Sequence, residues 1–215
     1  MRSYNLLLVD DDPIILKSLT RSLLEEERRK KYKKKYNIFT TTNPFEAFEI
    51  VENFKIHLVI SDEKMPQMQG HEFLRRIRTM DPHIMRIILT GQTDFQIAIK
   101  AINEGEIYRF LTKPWDNFEL NVIVNQALNL FDLEAKNRYL LKKVNQQAAT
   151  LRILEHRYPE IAATEAGIEE MARNIGFVEL TDEEISELIA QYEQDEIMKR
   201  KSSPDDNEIQ KYKIF

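Results

Sequence analysis

Asp10, Asp11 and Asp12 follow directly on the apolar run Leu6–Val9, and Pro13 closes the group. Acids packed against the end of a strand-like run either hold a cation or cap a turn. Further polar groups stand at matching places: Asp62 closes "LVISD", Thr90 follows "IIL", and Lys113 follows "FLT". Carboxylates in close company repel one another unless a cation lies among them, and a hard, all-oxygen donor set with water suits Mg2+. The aspartates therefore read as a metal cradle rather than a cap, provided that the fold brings them together.

The elements that must do so are legible as short β-type runs at Tyr4–Val9, Tyr36–Thr41, Ile56–Ser61, Ile84–Leu89 and Ile107–Leu111. Their near-continuous apolar character is what a parallel strand buried on both faces requires. Between them lie amphipathic helical patterns: Ile14, Ile15, Leu19 and Leu23, then Phe45, Phe48 and Val51, then Phe73, Leu74 and Ile77. Strands alternating with helices predict a doubly wound α/β domain with right-handed crossovers. In such a sheet ligands bind beyond the carboxyl ends of the strands. Asp10, Asp11, Asp62, Thr90 and Lys113 all fall at those ends.

The chain of 215 residues is 42% hydrophobic and 31% charged, which fits one globular domain with an appendage. It has no cysteine, so disulfide scaffolds, thiolate zinc sites and cysteine nucleophiles are excluded together. A net charge of −5 argues weakly against general nucleic-acid binding. The start carries too short an apolar run for a secretory signal, and no run reaches the length of a membrane span. The default expectation is a cytoplasmic protein without a membrane partner.

The motifs "LLLVDDDP", "LVISDEKMPQMQG", "IILTGQTD" and "YRFLTKPW", in this order and spacing, resemble the receiver domains of two-component response regulators over roughly Tyr4 to Asn129. The resemblance implies a flavodoxin-like sandwich with a five-stranded parallel sheet in the order 2-1-3-4-5. It implies that Asp62 is the phosphoacceptor for the phosphohistidine of a sensor histidine kinase or phosphotransfer protein. Asp11 resembles the direct Mg2+ ligand, Asp10 its water-mediated companion, and the backbone carbonyl of Lys64 completes the protein ligands with Asp62. Asp12 is assigned to the turn before Pro13, with a one-residue slip of the ligand register as the alternative. Thr90 matches the switch hydroxyl, Phe110 the switch aromatic and Lys113 the family lysine, with a cis bond to Pro114 in relatives. For Thr90 and Phe110 plain strand-end packing is the alternative. Lys64 and Gln92 stand where relatives tune phosphoryl lifetime, and a lysine so close to the site leads to the expectation of a long-lived phosphoryl state.

From Trp115 to Tyr158 the chain contains neither glycine nor proline, which predicts one long helix that starts in the domain and runs beyond it. Ile123, Leu130, Asn137, Val144 and Leu151 fall at one heptad position, and Leu133, Leu140, Gln147 and Leu154 at the other. A single Asn amid Leu and Val favours a parallel dimer in fixed register, here a homodimer through 123–154. A helix packed on its own C-terminal segment is the alternative. Two shorter helical patterns follow, Thr164–Asn174 and Thr181–Lys199, the second with Thr181 and Glu184 at capping-box spacing. The expected organisation is a receiver domain over 1–130, a coiled-coil extension over 131–158, an acidic helical module over 159–200 and a flexible tail over 201–215.

Between the first helix and second strand, Glu25–Tyr36 is basic; it reads either as an exposed helix extension or as a contact for RNA, an acidic partner or lipid. There is no Gly-x4-Gly-Lys loop for nucleotide and no adjacent His-Asp pair for a metal phosphodiesterase. The expectation is thus a non-enzymatic signalling switch, catalysing only its own phosphotransfer and dephosphorylation. Its output would be contact with a downstream protein through the surface of the fourth helix, fifth strand and fifth helix. A transcription regulator or enzyme with a reduced effector, or a phosphorylation-independent scaffold, are the alternatives.

Overall fold

The structure, a computed structural model, describes residues 2–28, 34–91, 99, 102 and 107–157. Its elements are β1 (Arg2–Val9), α1 (Pro13–Arg28), β2 (Lys34–Thr41), α2 (Pro44–Asn53), β3 (Leu58–Asp62), α3 (Gly70–Met80), β4 (Met85–Thr90), β5 (Arg109–Thr112) and α4 (Asn117–Arg157). The strands form one five-stranded sheet in the order β2-β1-β3-β4-β5, with every pairing parallel. This is the flavodoxin-like arrangement. None of the described helices is long and apolar enough to cross a membrane.

Strand periodicity explains the two cores. Side chains alternate across a sheet, so Leu6 and Leu8 of β1 join Leu58, Ile60, Ile87 and Leu89 on one face, against Leu16, Leu19 and Leu23 of α1 and Leu120, Val124 and Leu128 of α4. Leu7 and Val9 join Val59 and Ile88 on the other, against Ile50 and Val51 of α2 and Phe73, Leu74 and Ile77 of α3. The helical stripes differ from expectation at Ile14 and Phe45, which are 72% and 51% exposed. At 100° per residue Ile14 lies about 160° from Leu16 and Phe45 about 140° from Ile50, so each falls off its own buried stripe.

Three strands lie further along the chain than their apolar runs suggest. Ile56, Ile84 and Ile107 are buried at the entry to the sheet without belonging to β3, β4 or β5, so Asp62 and Thr90 become the last paired residues of their strands. Burial alone extends an apolar run past the point where the ladder begins.

The described residues fall into two compact units, up to Phe131 and from Asp132. In the first, α4 carries Asn117, Asn121, Asn125 and Asn129 at four-residue spacing, hence on one face. The Ser22 hydroxyl of α1 lies 2.8 Å from Asn117 Oδ1, and Lys34 Nζ donates to Asn129 Oδ1 at 2.7 Å and to the Asn125 carbonyl at 3.2 Å. Asn121 and Asn125 each donate Nδ2 to the carbonyl one turn earlier, at 2.8 and 2.9 Å, while their Oδ1 atoms are buried with no partner. In the second unit Leu133 and Val144, two residues of the heptad seam, are 55% and 57% exposed.

The basic segment is divided: α1 runs to Arg28 and β2 starts at Lys34, and 29–33 lie outside the described residues. So do the helical patterns Thr164–Asn174 and Thr181–Lys199, the tail, Gln92 and most of the fourth-helix region.

Candidate functional site

In the order β2-β1-β3-β4-β5 the chain direction of travel across the sheet reverses between β1 and β3, and a crevice opens at their carboxyl ends. Asp10 follows β1 there and Asp62 ends β3. The parallel register Val9↔Ser61 puts these two acids at the same level. Asp10, Asp11 and Asp62 each bring a carboxylate oxygen within 4.8 Å of the others. Lys113, just after β5, reaches both Asp10 (Nζ–Oδ2 2.7 Å) and Asp62 (Nζ–Oδ1 2.6 Å). Its backbone N–H is held by the Thr90 carbonyl at 2.8 Å, and its bond to Pro114 is cis.

Asp10 is 1% exposed and Asp62 6%, whereas Asp11 is open to solvent. Burial raises the Asp10 pKa, and hydrogen bonds from Lys113 and the Asp12 amide oppose that shift without cancelling it. Burial works against the Lys113 ammonium too, but its hydrogen bonds to Asp10 and Asp62 prevail and its pKa is raised. Lys113 pairs with two of the three clustered carboxylates, Asp10 and Asp62, so one ammonium stands against three acids. An all-oxygen set with that deficit fits a hard divalent ion such as Mg2+.

Asp12 stands apart from this cluster. Its Oδ1 accepts the Ile14 N–H at 2.7 Å and caps the start of α1, in line with the turn assignment. Thr90 is fully buried, and its hydroxyl donates to the Gly91 carbonyl at 3.1 Å. Phe110 is half-buried against the α2/α3 core. The Lys64 N–H donates to Asp62 Oδ2 at 2.9 Å, which fixes one oxygen of that carboxylate while Lys113 holds the other. The site thus brings together Asp10, Asp11, Asp62, Lys64 and Lys113, with Thr90 at the neighbouring strand end. Gln92 lies outside the described residues.

Two residues that the sequence pattern does not single out bear on this geometry. A Cβ on Gly70 would lie 2.1 Å from the Asp62 carbonyl oxygen, so only glycine lets α3 start against the end of β3. Glu63, next to Asp62, is 2% exposed and paired with His71. An acid continuing a buried strand was the available signal.

Comparisons with known proteins agree with the geometry. Residues 6–125 match the family described as "Response regulator receiver domain". "Hydrogenase transcriptional regulatory protein HoxA" of Bradyrhizobium diazoefficiens is 30% identical over 60% of this chain, which spans only 25% of that protein. "Probable transcriptional regulator ycf29" of Porphyra purpurea is 30% identical over 87% of this chain and 81% of its own length. Among solved structures, the signal receiver domain of an HD domain-containing protein from Pseudomonas fluorescens Pf-5 superposes with a TM-score of 0.55 at 37% identity, covering 62% of this chain and 93% of that one. Family members accept phosphoryl groups from histidine kinases and bind Mg2+ at an acidic pocket, and this chain belongs with them, as a response regulator receiver protein of the two-component signalling systems.

Proposed function

We propose that the chain is a phosphorylation-controlled switch in which Asp62 accepts a phosphoryl group from a sensor histidine kinase or phosphotransfer protein. The observation that carries this reading is the Asp62 carboxylate held between the Lys64 amide and Lys113 Nζ beside Asp10 and Asp11. In the transfer, an Asp62 oxygen bonds to phosphorus as the phosphorus–nitrogen bond of the donor imidazole breaks. The electron pair leaves with the nitrogen, and the product is an acyl phosphate. Such a displacement needs in-line positioning and charge neutralisation more than a strong nucleophile.

Asp11 and Asp62 would hold Mg2+ directly, Asp10 through water, and Lys64 through its carbonyl; bound there, the ion supplies charge neutralisation for the phosphoryl oxygens. Lys113 neutralises them from the β5 side. The Thr90 hydroxyl turns from Gly91 toward the phosphoryl group, and Phe110 follows it. Lys64 and Gln92 shield the acyl phosphate from water and lengthen its life.

The output lies in a receiver over 1–130, a coiled-coil extension over 131–158 and an acidic module over 159–200. Exposure of Leu133 and Val144 supports a parallel homodimer that engages a downstream protein through the part of 123–154 beyond Leu130, because Ile123 and Leu130 at the start of that seam pack on the domain's own core. A second reading, control of transcription, is favoured by the alignment with the Porphyra purpurea protein across most of both chains.

Acetyl phosphate with Mg2+, read by intact mass on wild type and Asp62→Ala and by sedimentation of the same samples, tests the switch. One phosphoryl group on wild type and none on the variant is expected, with a change in assembly. Absence of uptake by wild type would overturn the reading. Phosphorylation-dependent retention of DNA by the intact chain would move the output to transcription.

A further inference from the structure

The loop between β3 and α3 is closed by a hydrogen-bonded pair, a buried glutamate and a partly exposed histidine. Glu63 Oε1 lies 2.6 Å from His71 Nδ1, and Glu63 Oε2 accepts the His71 backbone N–H at 3.0 Å. The Glu63 carbonyl accepts the Gly70 N–H at 2.8 Å, and the Glu63 N–H donates to the Leu89 carbonyl at 2.9 Å. The Glu63 side chain is 3% exposed and that of His71 23%. A carboxylate so buried is costly unless paired and hydrogen-bonded, and an apolar residue would continue β3 at lower cost. The pair therefore has a use beyond holding the fold.

Its position indicates which. The first residue inside the closed loop is Lys64, whose amide fixes Asp62 Oδ2 and whose carbonyl is, on the proposed function, a ligand of the ion. Gly70, adjacent to His71, presses on the Asp62 carbonyl. Both ends of the loop are thus tied to the residue next to the phosphoacceptor. We propose that His71 is a positioning residue: through Glu63 it closes the β3–α3 loop and sets the Lys64 backbone for Mg2+ binding and phosphoryl transfer at Asp62. This rests on the reading of Asp62 as phosphoacceptor. Without the ring, Glu63 loses its Nδ1 partner and turns toward water, and Lys64 moves with it.

Outer partners that orient ligands typically contribute about 10–100-fold in metal affinity or activity. The test compares wild type, His71→Ala, His71→Asn and the double variant Glu63→Leu/His71→Leu, as full chains. Mg2+ binding is read from the rise in Tm with Mg2+ concentration, independently of phosphorylation. Phosphorylation by acetyl phosphate is followed separately by intact mass.

His71→Ala should raise the Mg2+ concentration for half-saturation about tenfold in both measurements. His71→Asn, whose amide can donate from the place of Nδ1, should recover most of that loss. Replacing both partners by apolar groups is close to neutral for stability, so the double variant should fold even if His71→Ala does not, and keep the Mg2+ defect. Half-saturation within about twofold of wild type in the double variant, or no recovery in a folded His71→Asn, would overturn the proposal. Wild type that binds Mg2+ but takes no phosphoryl group would instead overturn the reading of Asp62.

Discussion

Two of the places where the molecule buries polar side chains are built on opposite terms. At the carboxyl edge of the sheet, Asp10 and Asp62 share one lysine and stay short of positive charge. Along α4, Asn121 and Asn125 are equally buried but neutral, each donating to its own helix, Asn121 also to the Ser22 carbonyl of α1 at 3.5 Å, and each leaving an acceptor without a partner. The first cluster is incomplete in a way that a divalent cation and a phosphoryl group can complete. The second is incomplete with nothing evident to complete it. A charge deficit at the switch point of a sheet is a binding site, whereas an orphan neutral acceptor between packed helices is a cost to stability.

Substituting Asp10 should separate these terms most widely. Asp10→Asn removes a carboxylate whose charged form the fold disfavours, and should lower Mg2+ affinity at least about tenfold. In EDTA the same variant should melt higher than wild type at pH 7, by about 2–4 °C for a gain near 1 kcal/mol. The sign follows from the raised pKa of Asp10. Below the ordinary carboxylate range the group is protonated in both folded and unfolded chains, and the penalty is absent. It appears as pH rises through the folded value, so the variant's advantage should vanish below about pH 4. A lower Tm in EDTA at pH 7 would mean that Lys113 more than compensates Asp10, and the contrast with the asparagines would collapse.

The asparagine ladder offers the converse case. Asn121→Leu with Asn125→Leu removes the orphan acceptors, and each should stabilise the fold by about 1 kcal/mol while Mg2+ binding and phosphoryl uptake stay as in wild type. Denaturant melts report the first and intact mass the second. Destabilisation would show that the acceptors are served in solution by bound water.

What the sequence makes legible differs between the clusters for a physical reason. Asp10, Asp62, Thr90 and Lys113 each end an apolar run, and in a parallel sheet the run ends share one edge, so their convergence follows from strand order alone. Glu63 and His71 meet across a loop that has no periodicity, and Gly70 matters only because α3 starts against a carbonyl. No spacing rule points to them. Ile14 and Phe45 show the limit of apolar stripes, since a hydrophobic residue in the first turn of a helix joins the core only if its angle about the axis allows it. The four asparagines are visible as a spacing, yet their type suggests a solvated face, while the structure buries Asn121 and Asn125.

The smallest effect should come from Lys34, where the asparagine face is best served. Its Nζ sits 5.4 Å from the centroid of the buried Tyr4 ring while donating to Asn129 and to the Asn125 carbonyl. Cation–ring attraction at a partly exposed site is worth about 0.5–1 kcal/mol, and a methionine would keep the stem packed on the ring. Lys34→Met should therefore destabilise by no more than about 1 kcal/mol, opposite in sign to the asparagine substitutions on the same helix face. Denaturant melts of wild type and variant measure the loss, and one clearly above that bound would mean that Lys34 does more than serve these dipoles and the ring.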